Sequence, residues 1–447
     1  MAHLPTGNTF RSSRSEEFLR GWLVAINMSL LRSEEHTIPF VTTKQTFDVA
    51  VVGAGVFGAW TAYQVNRAGA KVVLLDAYGP GNSRASSGGE SRMIRMGYGP
   101  DQIYTRMAQR SLTLWQELFA HIGHSGVAPR LFQPTGILWL ARENDSYCEA
   151  TLATLQQCQI KYERLERDEL VRRYPQLAPG SVTWGILEPD SGVLLARQSV
   201  QAVVAQALSG GVVYLNEAIL PESASSKPGH LEGEGNRQPA TGNLQSVKTA
   251  SGREIFANKF VFACGPWLPK IFPALLGKLI HVTKQEVFFF GVPEGLAPSD
   301  FGPERMPAWI DFGDLVYGIP NLDNRGFKLA IDAHGPEFDP DFGDRMISAE
   351  SLAAARTYLA ARMPALANAP VIETRVCQYE NTSNGDFLID RHPEFENVWL
   401  VGGGSGHGFK HGPAVGEHVA KLISGDASVE PRFALATKES VQVRKVY

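Results

Sequence analysis

The chain has 447 residues, 44% of them apolar and 20% charged, the make-up of an ordinary globular protein with room for two or three domains. Its formal net charge of −4 offers no basic footprint for nucleic acid, and no apolar run reaches the roughly twenty residues that a membrane helix needs. Cys148, Cys158, Cys264 and Cys377 form no C-x-x-C pair and no metal spacing with the histidines, so neither a metal centre nor a disulfide framework is expected and a reducing compartment is the default.

Residues 1–46 are polar apart from a short apolar patch, GWLVAINMSLL. Glu16 and Glu17 close to that patch argue against a secretory leader, so a poorly ordered extension or an over-long gene start is expected. A strand FDVAVVG, a helix reaching about Ala68 and a second strand KVVLLDA follow between Phe47 and Asp76. Gly53, Gly55 and Gly58 in the turn carry the G-x-G-x-x-G spacing of a dinucleotide fold. The first permits the tight turn, the second lets a pyrophosphate approach the backbone, and the third lets helix pack on strand. Val56 and Phe57 begin the helix whose free N–H groups attract phosphate. Asp76, followed by Ala77, ends the second strand where a carboxylate accepts hydrogen bonds from a ribose 2′-OH, which disfavours NADP.

The loop YGPGNSRASSGGESRMIRMGYGP, with Ser87 and three arginines, precedes a helix IYTRMAQRSLTLWQELFAHI. A strand TGILWLA and two helices come next, Pro175 stopping the second of those helices, and GILEPDSGVLLAR leads on from them. Helix SVQAVVAQALSGG, strand VVYLNEA and a Ser/Gly/Pro-rich surface insertion at 221–243 lead to a hairpin and a buried strand ending in FVFACGPW. Residues 281–334 are strand-rich, 348–363 form a helix, and NVWLVGGG with helix GPAVGEHVAKLISG, capped by Gly425, closes the pattern.

The fold class read from this order is α/β, α+β overall. A Rossmann-like cofactor domain is assembled from 47–130, 188–268 and 370–435. A substrate domain with a mixed antiparallel sheet takes 131–187 and 269–369, and 436–447 form a tail. The glycine motif does not separate FAD from NAD. A discontinuous cofactor domain favours FAD, since simple NAD dehydrogenases more often keep their halves contiguous.

The separated motifs VVGAGVFG, LLDAYGPGNSRASSGGESRMIRMGYG, EPDSGVLL, FVFACGPW, LVYGIP with GFKLA, VCQYENTSNGDFLID and GSGHGFK resemble the glycine/D-amino-acid oxidase superfamily of flavoproteins. Within it they are similar to the monomeric sarcosine oxidase and N-methyl amino acid oxidase group, over about residues 46–435. The resemblance implies FAD, tethered at Cys377 by a thioether to the flavin 8α-methyl. By its residue type alone Cys377 suits a buried hydrophobe equally well.

It further implies that Lys328 lies by flavin N5 and promotes reduction of O₂ as a fixed cation, that Arg95 and Lys410 hold the substrate carboxylate, and that Arg92 lies against the flavin. Tyr317 and Tyr379 would wall the site. Gly404, Gly406, Gly408 and Lys410 belong to the turn whose amides face the flavin pyrimidine. His407 is a possible base, with a satisfied structural histidine as the competing reading. Period two on the strand of Lys328 places Ala330, Asp332 and His334 on its face.

Two departures stand out. Asp332 replaces a pocket histidine of the group, and Gly404 replaces a bulky Phe, which together suggest a larger or more polar amine than sarcosine. The expected activity is oxidation of a carboxylate-bearing secondary, N-methyl or cyclic amine to an imine, with O₂ reduced to H₂O₂, by a monomeric and cytoplasmic enzyme without a C-terminal S-K-L-type signal. An amino acid dehydrogenase using another acceptor and a non-catalytic flavin-binding subunit are the alternatives.

Overall fold

The computed structural model describes residues 46–123, 130–224 and 242–442. The extension 1–45, most of the 221–243 insertion and the last residues of the tail lie outside the described residues. In chain order the strands are β1 (Thr46–Val52), β2 (Val72–Leu75), β3 (Arg92–Ile94), β4 (Phe132–Gln133), β5 (Ile137–Ala141), β6 (Glu163–Glu166), β7 (Trp184–Glu188), β8 (Gly192–Leu194), β9 (Val213–Leu215), β10 (Ser246–Lys248), β11 (Glu254–Phe262), β12 (Ile280–Phe290), β13 (Ala308–Asp311), β14 (Val316–Ile319), β15 (Phe327–Ile331), β16 (Val371–Thr382), β17 (Leu388–Arg391) and β18 (Val398–Gly402). The longer helices are α1 (Val56–Arg67), α2 (Gln102–Gly123), α3 (Ser146–Gln157), α4 (Ala196–Ser209), α5 (Ala349–Arg362) and α6 (Gly412–Ser424).

The first sheet runs β17-β18-β11-β1-β2-β9, with β10 as a hairpin partner of β11. Its central pairs are parallel, while β17 and β10 are antiparallel edges. Parallel strands are covered on both faces, which is why VAVV and VVLL read as unbroken apolar runs. Val49, Val51 and Leu74 face Trp60 of α1, Val200 of α4 and Val415 of α6. Ala50, Val52, Val73 and Leu75 face the opposite layer with Leu268 and Phe272. Helices α1 and α6 approach so closely that a Cβ on Gly416 would lie 2.6 Å from the carbonyl carbon of Trp60.

The second sheet runs β16-β12-β15-β14-β13-β5-β7-β6 and is antiparallel except between β13 and β5. Phe288, Phe290 and Leu329 point to one face and pack on Ala355 and Leu359 of α5. Register places a different set on the other face: Lys328 opposite Phe289, Ala330 opposite both Val287 and Tyr317, and Cys377 opposite Gln285. The segment 370–435 is shared between the sheets, since β16 pairs along β12 whereas β17 and β18 join the parallel sheet. A small sheet, β3-β8-β4, carries Arg92 between them.

Candidate active site

The carboxyl ends of β1 and β11 meet where the strand order reverses around β1, the place at which an open parallel sheet leaves a crevice. There Gly53 has φ of +104°, and a Cβ on it would run into the carbonyl of Ala263. A Cβ on Gly58 would strike the carbonyl of Gly53, whereas one on Gly55 would only touch Ser87 Oγ, at 3.5 Å. Gly53 therefore serves the turn and Gly58 the packing of helix on strand. Val56 N, at the start of α1, donates to Ser87 Oγ at 3.0 Å.

From this turn a cleft of about 1470 Å³, open to solvent, extends past Asp76, Ala77, Trp267 and Glu380 to Cys377 and the turn 404–408. Asp76 accepts backbone N–H groups from Ala54 at 2.7 Å, Tyr78 at 2.8 Å and Gly79 at 2.9 Å. Burial raises its carboxyl from the usual range despite those three donors. Oδ1 takes two of these donors and Oδ2 one, so Oδ2 keeps lone-pair capacity for a ribose hydroxyl. In the far turn, Gly406 has φ of +79°, and a Cβ there would lie 2.7 Å from the Tyr379 ring. A long floor of glycine, a helix N-terminus at one end and a carboxylate at the ribose position fit an extended dinucleotide.

A second pocket opens from the same wall and shares Arg92, Cys377, Tyr379, Ser405, Gly406 and Phe409 with the cleft. Arg95, Asp332, Tyr317, Lys328, His407 and Lys410 also border it. Cys377 is half-buried and accepts a hydrogen bond from Arg92 Nη2 at 3.2 Å, while the same guanidinium donates to Ser86 O at 2.8 Å.

Lys328 is 2% exposed. Its Nζ donates to Ser91 O at 2.9 Å and approaches Ser91 Oγ at 3.3 Å. Burial, with Arg92 nearby, pushes its pKa well below the usual lysine value. Arg95 is buried, donates to Gly97 O, and stacks its guanidinium 4.5 Å from the Tyr98 ring centre and 4.7 Å from that of Trp139. Lys410 donates to His407 O at 3.0 Å and lies 5.1 Å from the Tyr98 ring. Burial raises the phenols of Tyr317 and Tyr379 and keeps them neutral, Asp332 adding to the effect on both. Tyr379 donates to Asp332 Oδ1 at 2.8 Å.

Three expectations need correction. His334 does not share the strand face of Lys328: β15 ends at Ile331, and His334 is exposed in the following turn. Gly404 borders the cleft and is not in the wall of the second pocket, and a Cβ on it would lie 3.3 Å from Glu380 Oε1. Asp332, by contrast, does line the second pocket. His407 does border the pocket, but its ring is tied on both sides, Nδ1 to Tyr98 OH at 3.3 Å and Nε2 to Gly385 O at 3.1 Å. It stacks on Phe387 as well, an arrangement that holds a turn and leaves little for a base.

Sequence reasoning passed over the residues that support these groups. Glu188 is 1% exposed and accepts from Met96 N, Gly97 N, Trp139 Nε1 and Ser191 Oγ, fixing both the backbone and the ring against which Arg95 rests. Its signal was present, an acid in the otherwise apolar WGILE. Ser91, the anchor of Lys328, stands beside Arg92 with no signal of its own. Glu380, a buried acid in VCQYE, lines the cleft.

Among the described residues no cluster able to hold a metal ion occurs, and no helix is long and apolar enough to cross a membrane. The DAO family model, described as FAD dependent oxidoreductase, matches residues 48–422. Monomeric sarcosine oxidase of Bacillus sp. (strain B-0618) is 31% identical over 405 residues, 89% of this chain and 98% of that protein. N-methyl-L-tryptophan oxidase of Salmonella heidelberg (strain SL476) is 26% identical over 382 residues, 85% of this chain and 95% of that protein. Among solved structures, L-proline dehydrogenase from P.horikoshii superposes with a TM-score of 0.71 at 21% identity, over 88% of this chain and 98% of that one. With the glycine cradle, the cleft behind it and a family match that spans most of the sequence, the chain belongs to the DAO family of FAD-dependent oxidoreductases.

Proposed function

We propose that this protein is an amine oxidase of the sarcosine oxidase type, acting on a carboxylate-bearing secondary, N-methyl or cyclic amino acid and passing its electrons to O₂. The observation that carries the reading is the convergence of Arg95, Lys410 and Lys328 on one pocket whose remaining wall, with Cys377, is shared with the dinucleotide cleft. FAD, when bound, supplies the two-electron chemistry, accepting a hydride from the carbon beside the amine nitrogen.

The chain's own groups do the rest. Gly53, Gly55, Val56, Phe57, Gly58, Asp76, Ala77 and Ser87 hold the AMP end, and Arg92 with Gly404, Gly406 and Gly408 holds the flavin end. Cys377 tethers it, its Sγ held 3.2 Å from Arg92 Nη2. Arg95 and Lys410 fix the substrate carboxylate and, as cations, favour loss of the amine proton before oxidation. Tyr317 and Tyr379 exclude water, and Asp332 selects an amine more polar or larger than sarcosine. Lys328 stabilises negative charge developing on O₂. The protein works as a monomer, the state named for the Bacillus relative.

The test is an anaerobic screen of sarcosine, bulkier N-alkyl, cyclic, tertiary N-methyl and glycated amino acids, read by bleaching of the flavin absorbance, followed by H₂O₂ measurement in air. Bleaching by a carboxylate-bearing amine with stoichiometric H₂O₂ is expected, and failure of every amine to bleach refutes the reading. Highest activity on sarcosine removes the role given to Asp332. A second reading, a dehydrogenase of the same fold, draws on the lowered pKa of Lys328, because a neutral amine does not stabilise an oxygen anion. Turnover with an artificial acceptor but without H₂O₂ in air selects it.

A further inference from the structure

Glu380 has one oxygen that the protein uses and one that it does not. Oε1 accepts from Gly404 N at 3.3 Å. Oε2 is buried and has no hydrogen-bond partner, although the residue is only 8% exposed and borders the cleft. A buried carboxylate oxygen without a partner is costly, and native proteins keep such groups where a ligand, a proton or a charge change uses them. The space before Oε2 is walled by residues without side chains: a Cβ on Gly402 would sit 3.2 Å from it, and one on Gly265 4.0 Å.

The placement follows from strand register. On β16, Cys377 and Tyr379 alternate with Gln378 and Glu380. Gln378 is engaged by the rest of the protein, donating to Arg84 O at 2.7 Å and accepting from Arg345 Nη2 at 3.4 Å. The side-chain oxygen of Glu380, two residues on, is left to the cleft. Other titratable groups around it are accounted for. The Cys264 thiol is pushed far up by burial with Asp76 and Glu380 nearby. Asp76 is held by backbone N–H groups, and Lys270 pairs with Asp339 and Asp341. In the glycine turn, His407 and Lys410 are tied to Gly385 O and His407 O. On β12, which pairs with β16, His281 contacts Ser440 O and Lys284 pairs with Glu286.

We propose that Glu380 faces the bound flavin cofactor and takes up one proton from solvent when that cofactor gains two electrons, returning it when the electrons leave. The substrate supplies a hydride, two electrons and one proton, to the flavin. The carboxylate takes one further proton from water and becomes a neutral acid, so the negative charge gained on reduction is met by a charge lost from the wall. Burial, opposed by the amides of Gly404 and Gly403, already raises the carboxyl to about 7, and a like charge arriving beside it raises it further.

This assignment rests on the cleft holding FAD. The experiment is a measurement of flavin midpoint potential against pH in the full-length holoenzyme, from pH 5.5 to 8.5. Above neutrality the wild-type slope is expected to report one more proton per two electrons than that of Glu380→Gln, and Glu380→Asp is expected to keep the extra proton. Lys328→Met, which removes the titratable lysine of the second pocket, is also expected to keep it. A wild-type slope without the extra proton, or its persistence in Glu380→Gln, overturns the proposal while leaving the FAD site intact. A purified protein that neither carries nor takes up flavin overturns both. Should Glu380→Gln fail to fold, the infrared carboxylic-acid band of the wild type decides: a new band on reduction near pH 7.5, shifted in Glu380→Asp, supports the proposal, and no new band refutes it.

Discussion

Replacing Lys328 by Met separates the two halves of the proposed reaction. In the wild type the ammonium is fixed by Ser91 O and Oγ, so it is already in place as charge develops on oxygen. At an effective dielectric of about 20, a cation about 4 Å from a forming anion contributes about 4 kcal/mol, nearly a thousandfold in rate. Burial and Arg92 lower the Lys328 pKa and so weaken its hold on the proton, and a slowing of reoxidation by roughly 100- to 1000-fold is expected. Methionine nearly matches the side-chain volume, and loss of a buried cation relieves desolvation. The exposed cost is one or two hydrogen bonds to Ser91, about 1–3 kcal/mol, so the variant should fold.

Stopped-flow reduction by substrate under anaerobic conditions should change little, whereas mixing the reduced protein with O₂ should show the full loss. The pH dependence carries a sign as well. The lysine pKa is depressed below 10.5, so wild-type reoxidation falls as pH rises through that lowered value, while the Met variant is flat. Between the folded pKa and 10.5 the unfolded chain binds more protons, so this group's stability contribution grows as pH rises and is lost as pH falls through the folded pKa. Equal slowing of reduction and reoxidation, or a wild-type reoxidation rate independent of pH, refutes the role.

Cys377→Ser should leave the yellow colour in the supernatant after acid precipitation, whereas wild-type flavin should precipitate with the protein; colour in the wild-type supernatant removes the tether. Arg95→Met should lower kcat/KM about 10- to 100-fold for carboxylate substrates, from loss of charged hydrogen bonds worth about 1.5–3 kcal/mol, and should matter much less for a decarboxylated amine. An equal loss on both amines would make Arg95 merely structural. Gly58→Ala should give protein that is poorly folded or free of flavin, because its Cβ meets the Gly53 carbonyl; near-normal flavin content would contradict the packing.

Much of the layout was legible because it rests on local rules. The run VAVVGAGVFG announces strand, turn and helix by composition alone, and Gly53 lies in the tight turn while Gly58 packs against it. Pro175 and Gly425 ended their helices where turn chemistry placed them. The errors came from long-range geometry. Extending period two from Lys328 to His334 assumed a strand that stops at Ile331, and nothing local marks that end. Gly404 was judged by what a relative's side chain would fill, but which cavity it borders depends on how β16 and β18 approach each other. Glu188 and Glu380 escaped notice because a buried acid differs from a surface one by its neighbours, and those lie far along the chain, Met96 in one case and Gly404 in the other.

The registers of the parallel sheet also set a timetable for synthesis. β1 lies between β2, which follows at once, and β11, whose Phe256 pairs with Thr46 only after some two hundred further residues. β18 then pairs with β11 and brings in the turn at 403–408. While the chain emerges from the ribosome, the glycine turn is translated long before the β11 backbone it packs against and the opposite wall of the cleft. Cofactor capture must therefore wait until nearly the whole polypeptide is out, and until then β1 presents an open, apolar edge of the kind that chaperones cover. Flavin starvation should accordingly appear in cells as a late-stage defect, full-length chains lost to aggregation or proteolysis, with no pile-up of truncated products.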